Sequence, residues 1–235
     1  MGIGLEPIGI IHSCYREKFG IPRQAGLVPD AVASLELYPP YNTPEAVKGL
    51  ETFSHLWVIF IFHASQRDGW KATVRPPRLG GNQRLGVFAT RSMFRPNPIG
   101  LSAVLLESVE VSSGKALLHI KGGDLLEGTP VLDIKPYLPY ADTIPQAIGG
   151  FATSAPTSSF TGTFTSEARS QCQALESDGY PNLQAIIEQT LQLDPRPAYY
   201  SERPQKTEFG MRLYDFDVKW RVQHQEILVV DIESA

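Results

Sequence analysis

The chain has 235 residues and a net charge of −4, and its 42% hydrophobic and 20% charged residues are an ordinary globular composition. Two cysteines, Cys14 and Cys172, are too few for a disulfide framework or a cysteine-built metal site, and no metal is expected. The longest apolar run, Leu56 to Phe62, has seven residues, far short of the about 20 that span a bilayer.

The N-terminal sequence MGIGLEPIGIIHS has no basic region and no long apolar run, which argues against a signal peptide. The low cysteine count fits a reducing compartment. We therefore expect a soluble, cytoplasmic protein that does not bind a membrane.

The first 150 residues favour β-structure. Short apolar runs rich in Val, Ile and Phe, each bounded by Gly, Pro or Asn, predict strands at 7–12, 55–62, 85–90, 101–111 and 116–120. One short helix is expected within 43–53, with Thr43 as N-cap and Pro44 at its first position. Strands without regular intervening helices favour an antiparallel sheet or barrel over a doubly wound sheet.

The stretch GGFATSAPTSSFTGTF predicts a linker. Charge changes there too, since residues 1–150 hold 14 Lys/Arg against 13 Asp/Glu, whereas residues 151–235 hold 7 against 12. We therefore expect two domains, a mainly β domain over residues 1–155 and a smaller one over 156–235.

In the second part, some segments space their hydrophobic residues as helices do and another alternates them as a strand does, which predicts a small α+β unit. PNLQAIIEQTLQL puts its leucines and isoleucines on one helical face, and EARSQCQALES has similar spacing, so that Cys172 is expected in the core. Residues 212–223 alternate between apolar and charged side chains, which predicts one half-buried strand paired with EILVVDI as a hairpin.

The basic segment, residues 69–106, contains no acid. It holds six cations, while the other 197 residues carry −10; the cations are Lys71, Arg75, Arg78, Arg84, Arg91 and Arg95. Its prolines and glycines indicate ordered loops that hold side chains in place, and the planar fork of Arg suits phosphate. An ordinary solvated surface is the alternative, but the pattern favours an anionic ligand or a nucleic acid.

Aromatic rings are interleaved with these cations. RNA is commonly recognised where unstacked bases meet aromatic side chains, and Trp70, Phe88 and Phe94 could serve in this way. For Phe88, within LGVFAT, core packing is the favoured interpretation. The chain lacks a dinucleotide-binding glycine motif, a Walker A sequence, an H-E-x-x-H motif and a G-x-S-x-G elbow, so the common nucleotide-binding and hydrolase folds are unsupported.

Five strings together resemble the TsaA-like family, whose best-understood bacterial members are TrmO-type tRNA methyltransferases. They are EKFGIPRQAGLV (17–28), FSHLWVIFIFH (53–63), VRPPRLGGNQRLGVFATRSMFRPNPIGLS (74–102), DLLEGTPVLDIKPYLPYAD (124–142) and DPRPAY (194–199). Two loop positions depart from the family pattern, since Cys14 and Ala25 stand where proline is usual. Neither change removes a chemically active group.

The resemblance implies an N-terminal antiparallel β-barrel that binds S-adenosylmethionine, and a homodimer. It also implies methyl transfer to N6 of N6-threonylcarbamoyladenosine at position 37, beside the anticodon of threonine-type tRNA. The arginines would then hold tRNA phosphates and the carboxylate of the modified base. The alternatives are a non-catalytic regulatory protein that binds S-adenosylmethionine or a nucleotide, and a small-molecule methyltransferase with the same cofactor.

The resemblance also implies a set of cofactor-binding residues. They are Arg23, Gln24, Ala25, His63, Ala64, Arg91, Leu101, Asp124, Leu125, Leu126 and Glu127. Gln24 could bond adenine, Arg91 the methionine carboxylate, and a carboxylate the ammonium and sulfonium. Taken alone, His63 is more often structural at the end of an apolar strand, and Asp124 and Glu127 are equally consistent with turn residues.

For catalysis we expect Asp133 to accept the N6 proton, Lys135 and Asn97 to position the substrate, and Arg95 to hold an anionic group. VLDIKPY places Asp133 and Lys135 on one face of an extended segment, where a plain surface ion pair is the alternative. In the Pro-rich stretch DPRPAYYSERPQK, Arg196, Tyr199 and Tyr200 either tie the small domain to the barrel or contact the anticodon arm or a partner subunit.

Overall fold

The computed structural model describes residues 3–112, 115–156, 160–196, 207–223 and 226–235, with the side chains of 66–68 outside the description. It is mainly β, as predicted, with a closed six-stranded barrel followed by a four-stranded sheet with two helices.

Six antiparallel strands close the barrel in the order β1-β2-β7-β6-β3-β8. They are β1 (Gly9–Ser13), β2 (Val32–Leu37), β3 (His55–Ile61), β6 (Ile99–Ser112), β7 (Lys115–Lys121) and β8 (Pro130–Pro136). Alternate side chains point inward and form one apolar core, which includes Leu35, Val58, Val104, Leu118 and Val131. Gly100 has no room for a side chain, because a Cβ would lie 2.2 Å from the Phe60 ring.

The strand register decides which connections meet. Ser13 at the end of β1 pairs with Ala33 at the start of β2, and Ile61 at the end of β3 pairs with Ile99 at the start of β6. As a result the connections 14–31, 62–98 and 122–129 lie at one end of the barrel, called the upper end here. Residues 38–54 lie at the opposite, lower end.

The connections contain short elements. At the lower end, α1 (Pro44–Val47) begins after Thr43, whose hydroxyl accepts from the Ala46 N–H, so the predicted N-cap is confirmed. The connection 62–98 holds β4 (Thr73–Val74) and β5 (Leu85–Gly86), and α2 (Pro139–Asp142) follows β8. The strand predicted over 85–90 is confirmed only for Leu85–Gly86, because a 3₁₀ turn, Val87–Ala89, replaces the rest.

The C-terminal unit has sheet order β10-β11-β12-β9, with β9 parallel to β12. Its elements are β9 (Thr161–Phe164), α3 (Ser166–Ser177), α4 (Leu183–Gln192), β10 (Glu208–Leu213), β11 (Phe216–Gln223) and β12 (Glu226–Ser234). The predicted helices and the β11–β12 hairpin are present. The single strand predicted over 212–223 was wrong, since a turn at Tyr214, with φ 51°, separates β10 from β11. No helix among the described residues is long and apolar enough to cross a membrane.

The connection 14–31 packs into the core of the C-terminal unit. Tyr15 and Val28 belong to that core, and the Tyr214 N–H donates to the Cys14 carbonyl at 2.7 Å. Cys14 and Cys172 are both free and buried there, and burial raises their thiol pKa values to about 12 and about 11. The upper end of the barrel is therefore attached to the C-terminal sheet.

Candidate cofactor and substrate site

Side chains from all three upper connections meet in one cluster. Arg91 Nη1 donates to Gln24 Oε1 at 2.5 Å, which joins the connections 62–98 and 14–31. Asp124, from the third connection, accepts from the inward-facing Ser102 hydroxyl at 2.5 Å and from the backbone N–H of Ala25, and it senses the charge of Arg91. The upper cluster, defined as these five residues, places a guanidinium, an amide and a carboxylate together.

Burial raises the pKa of Asp124, and the hydrogen bond from Ser102 only partly offsets this effect. Because this carboxylate is partly buried, water does not reach all of its hydrogen-bond acceptor positions. It is therefore well suited to a cationic or hydroxyl group of a ligand.

Close backbone contacts fix the cluster. The Gly26 N–H donates to the Gly122 carbonyl at 2.7 Å, and the Gly122 N–H donates to the Ala31 carbonyl at 2.9 Å. Gly26 and Gly122 have φ values of 81° and 69°, a left-handed conformation that favours glycine. These bonds hold Gln24 and Asp124 in a defined relation to each other.

His63 and Ala64 lie beside the same connections. Lys18 Nζ donates to the Ala64 carbonyl at 2.8 Å, a second link between 14–31 and 62–98. Burial lowers the pKa of His63, a hydrogen bond with the Ile61 backbone partly opposes this, and the Lys18 charge adds a smaller lowering effect. Its imidazole is therefore neutral at neutral pH and able to accept a hydrogen bond. Arg23 precedes Gln24, whose side-chain amide donates to the Arg23 carbonyl. Burial lowers the pKa of the Arg23 guanidinium, and the charge of Asp194 opposes this.

The other predicted residues of 124–127 have structural partners. Glu127 accepts from the Ser13 N–H at 2.6 Å and pairs with Arg16 and His12, both at 3.2 Å, so its carboxylate is directed at the end of β1. The Leu125 side chain is buried in the barrel core, and the Leu126 carbonyl accepts from Thr129. Asp124 is the member of this group that lies beside Arg91.

Leu101, Asp133 and Lys135 lie on the outer wall of the barrel. Ile59 pairs with Leu101 on one side and Asp133 on the other, which separates those two residues by about 10 Å. Asp133 accepts from the Ile134 N–H at 2.9 Å and pairs with Lys135 at 2.8 Å, both on its own strand. Within the described residues, no hydrogen bond links Asp133 to Asn97 or Arg95.

The basic segment carries uncompensated charge. Among the side chains that the structure describes, none of its six cations forms an ion pair with a carboxylate. Arg78 donates to the Ser154 carbonyl, Arg84 reaches Thr73 at 3.5 Å, and Lys71 lies 4.3 Å from the Phe94 ring centroid. These contacts orient the cations without neutralising them.

Arg95 and Asn97 differ in their surroundings. Arg95 Nη1 donates to the carbonyls of Thr90 at 2.8 Å and Val87 at 3.2 Å, so its guanidinium is fixed by its own loop. The Asn97 side chain is exposed, and its backbone carbonyl accepts from the Ile99 N–H at 2.7 Å.

The expectation that Phe88 packs in the core was wrong. Phe88 is 73% exposed, whereas its neighbour Val87 is 1% exposed, because the 3₁₀ turn buries one of the two side chains and presents the other. Trp70 is also largely exposed. The basic segment therefore offers two aromatic rings to solvent.

Arg196 has a structural environment. It makes a bidentate pair with Asp194, at 2.6 and 3.0 Å, and lies over the rings of Phe160 and Phe209. These partners all belong to the C-terminal unit, so the contacts of Arg196 stabilise that unit internally. The tie of this loop to the barrel, or its contact with the anticodon arm or a partner subunit, stays a prediction. Tyr199 and Tyr200 lie outside the described residues.

Sequence reasoning missed Ser102 and Lys18. Ser102 did leave a signal, because it is a hydroxyl at an inward-facing position of an otherwise apolar strand, and buried hydroxyls need partners. Lys18 left none, since its bond to Ala64 joins two loops far apart in the chain.

Comparison with known proteins gives consistent matches. Residues 10–143 match the tRNA-methyltransferase O N-terminal domain, and residues 159–235 match the TrmO C-terminal domain. The tRNA (adenine(37)-N6)-methyltransferase of Escherichia coli strain K12 is 51% identical over 217 residues, 92% of each chain. A protein of Pseudomonas aeruginosa named "Putative S-adenosylmethionine-dependent methyltransferase RcsF" is 46% identical over 98% of each chain. The crystal structure of TrmO from Pseudomonas aeruginosa superposes with a TM-score of 0.83 at 40% identity, covering 100% of this chain and 99% of that one.

Proposed function

Because the chain belongs to the tRNA-methyltransferase O family, we propose that it methylates N6 of N6-threonylcarbamoyladenosine at position 37 of threonine-type tRNA. The methyl donor is S-adenosylmethionine. The observation that carries this proposal is the upper end of the barrel, where the upper cluster and the basic segment share the connection 62–98. The proposed cofactor site and the proposed RNA-binding surface would thus lie side by side.

The upper cluster fits the chemistry of S-adenosylmethionine. The guanidinium of Arg91 suits the methionine carboxylate, the half-buried carboxylate of Asp124 suits the ammonium, and the amide of Gln24 suits adenine. The remaining expected contacts, from Arg23, Ala25, His63, Ala64, Leu101 and residues 125–127, complete the proposed site. Leu125, whose side chain is in the core, would contribute through its backbone.

S-adenosylmethionine, when bound, supplies a methyl group activated by a sulfonium. The main task of the chain is therefore to align the acceptor nitrogen, and such positioning supplies about 7–11 kcal/mol in favourable cases. The acceptor N6 is a poor nucleophile, because its lone pair is delocalised into the purine and the carbamoyl group. Acceptance of its proton by Asp133 would contribute about 10²–10⁴ in rate.

Lys135, Asn97 and Arg95 complete the proposed catalytic group. Lys135 Nζ lies 2.8 Å from the Asp133 carboxylate, while Asn97 is exposed for contact with the substrate. Two of the five guanidinium N–H groups of Arg95 are held by carbonyls, and the others could bond an anionic group.

We propose a homodimer in which a second copy covers the outer wall. Ile99, Leu101 and Leu105 are 39%, 53% and 38% exposed on the outward face of β6, an unusual amount of apolar surface for a solvated strand. Asp133 and Leu101 lie on this wall, whereas the upper cluster lies at the barrel end. A second chain on the wall would enclose both parts of the site.

The tRNA contact is proposed at the anticodon arm, with the basic segment against its phosphates. The protein would act in the cytoplasm, in keeping with two free, buried thiols. A non-catalytic regulator is not favoured, because the Escherichia coli and Pseudomonas aeruginosa relatives, which match 92% and 98% of this chain, carry methyltransferase names.

Transfer of a labelled methyl group tests the proposal. The purified protein is incubated with labelled S-adenosylmethionine and tRNA that carries or lacks the threonylcarbamoyl group. We expect incorporation only into the modified tRNA. Incorporation into neither RNA would support the regulator, and turnover without RNA would indicate a small-molecule methyltransferase.

A further inference from the structure

Phe88 is held on a turn that is tightly fixed by hydrogen bonds. The Val87 carbonyl accepts from the Thr90 N–H at 3.1 Å, from the Thr90 hydroxyl at 2.8 Å and from Arg95 Nη1 at 3.2 Å. The buried Val87 side chain anchors the same turn. The exposed ring of Phe88 is therefore attached to rigid backbone.

One face of the ring already has a cationic neighbour. The Arg95 guanidinium carbon lies 5.4 Å from the Phe88 ring centroid, and Arg95 is itself fixed by the Val87 and Thr90 carbonyls. With 73% of Phe88 exposed, the ring still has open surface for a planar group.

The ring also lies close to the upper cluster. Phe88 is three residues from Arg91, so their Cα atoms are at most about 11 Å apart. Lys71 is placed nearby, because Ala72 accepts a backbone bond from Val87 and so aligns the two segments. An aromatic ring among unpaired cations, beside a cofactor site, matches the surface that binds an unpaired base and its phosphate.

We propose that Phe88 stacks on an unpaired anticodon-loop base adjacent to the methylated adenosine, and that Arg95 acts as a positioning residue for this ring. This inference rests on the proposed function. It assigns to Phe88 the recognition of the RNA strand rather than of the cofactor or the reacting atoms.

The test compares Phe88→Ala, Phe88→Leu and Phe88→Trp with a matched control. Tyr41, 39% exposed in the connection 38–54 at the lower end, supplies that control as Tyr41→Ala. The probe is an anticodon stem–loop with N6-threonylcarbamoyladenosine at position 37 and 2-aminopurine at a neighbouring position. 2-Aminopurine loses fluorescence when it stacks, so it reports the contact directly.

We expect wild type and Phe88→Trp to quench the probe and to bind the stem–loop with similar affinity. Phe88→Ala and Phe88→Leu should bind about 5- to 150-fold more weakly, the range of a lost base–aromatic stack. S-adenosylmethionine affinity should be unchanged in all variants, and Tyr41→Ala should behave as wild type.

Three results would overturn the proposal: unchanged RNA affinity in Phe88→Ala, full function in Phe88→Leu, or loss of cofactor affinity in both. A wild-type protein that transfers no methyl group to tRNA would instead refute the proposed function itself. If wild type is active and Phe88→Ala binds RNA equally well, only the role of Phe88 fails.

The role of Arg95 is tested by a double-mutant cycle. Arg95→Lys keeps the charge but loses the fork that reaches two carbonyls. It should weaken RNA binding more in wild type than in Phe88→Ala, because the part of its effect that acts through the ring is already lost in that variant. Equal losses in both backgrounds would show that Arg95 acts independently of the ring.

Discussion

Two charged surfaces of the barrel differ in whether their cations form ion pairs with carboxylates. The paired wall, on the outer faces of β2, β7 and the far part of β6, matches its lysines with carboxylates in the pairs Lys115–Glu36 and Lys121–Glu107. On the same wall, His119 lies 3.5 Å from Glu110. In the basic segment, none of the six cations has such a partner among the described side chains. A neighbouring carboxylate cancels much of the electrostatic potential of a cation. A paired cation therefore attracts an anionic ligand weakly, whereas an unpaired cation attracts it strongly.

Local charge therefore indicates function better than net charge does. The chain is acidic overall, yet the six unpaired cations of the basic segment are all offered from one connection at the upper end, together with two exposed rings. If this contrast decides function, substitutions in the basic segment should weaken cofactor or RNA binding, and substitutions in the paired wall should leave both unchanged.

The largest effect is expected at Asp133. Asp133→Asn should lower kcat by about 10²–10⁴, because the proton on N6 loses its acceptor, while tRNA and cofactor affinities stay within about twofold. Glu110→Gln, in the paired wall, is the control and should keep full activity. Normal turnover of a folded Asp133→Asn protein would remove this residue from the proposed role.

Next in size is the loss of cofactor affinity on removal of the Arg91 guanidinium. Arg91→Ala should raise the Kd for S-adenosylmethionine about 10- to 150-fold, the range for a hydrogen bond to a charged group. Calorimetric titration measures this effect, with Lys115→Ala as the matched cation. Equal affinities in the two variants would place the cofactor elsewhere.

A smaller effect should distinguish the two surfaces in their response to salt. Each lysine or arginine that contacts a phosphate adds about 1 to the slope of log affinity against log salt concentration. Arg75→Ala and Arg84→Ala should each reduce the slope by about that amount, and Lys115→Ala should leave it unchanged. If all three substitutions changed the slope equally, the pairing of charges would not matter for RNA binding.

The smallest effect concerns the stability of the fold. Because burial raises the pKa of Asp124, the folded protein holds this proton more tightly than the unfolded chain. The resulting stabilisation is complete below the ordinary pKa of 3.8 and is lost as the pH rises through the raised value. In urea unfolding, the free energy of unfolding of Asp124→Asn should therefore increase relative to that of wild type as the pH rises. If the difference in free energy of unfolding between the variant and wild type stayed constant over this pH range, the raised pKa of Asp124 would be contradicted.

Much of the fold could be predicted from the sequence, for local reasons. The barrel was indicated by short apolar runs without helices between them, and α4 by its leucine and isoleucine spacing. The strand β2 was missed, because VASLEL has only a weak alternation and its pairing with β1 and β7 is a tertiary contact. The turn at Tyr214 was missed because a two-residue turn preserves the alternation on both sides.

The site was predictable only in part. The resemblance gave residue names, but it could not tell that Glu127 bonds the end of β1, since that contact joins residues 114 positions apart. The exposure of Phe88 depends on a 3₁₀ turn that places Val87 inward, and both residues are equally apolar in sequence. Packing decides which of two neighbouring apolar side chains is buried, and a local sequence pattern does not predict it.

The most direct test is mass spectrometry of tRNA nucleosides from cells that lack this protein. We predict that one methylated nucleoside disappears and that N6-threonylcarbamoyladenosine rises by the same amount. Expression of the wild-type chain should reverse both changes, and Asp133→Asn should not. An unaltered nucleoside profile in the deletion strain would contradict the assignment of the upper barrel end as a tRNA methylation site.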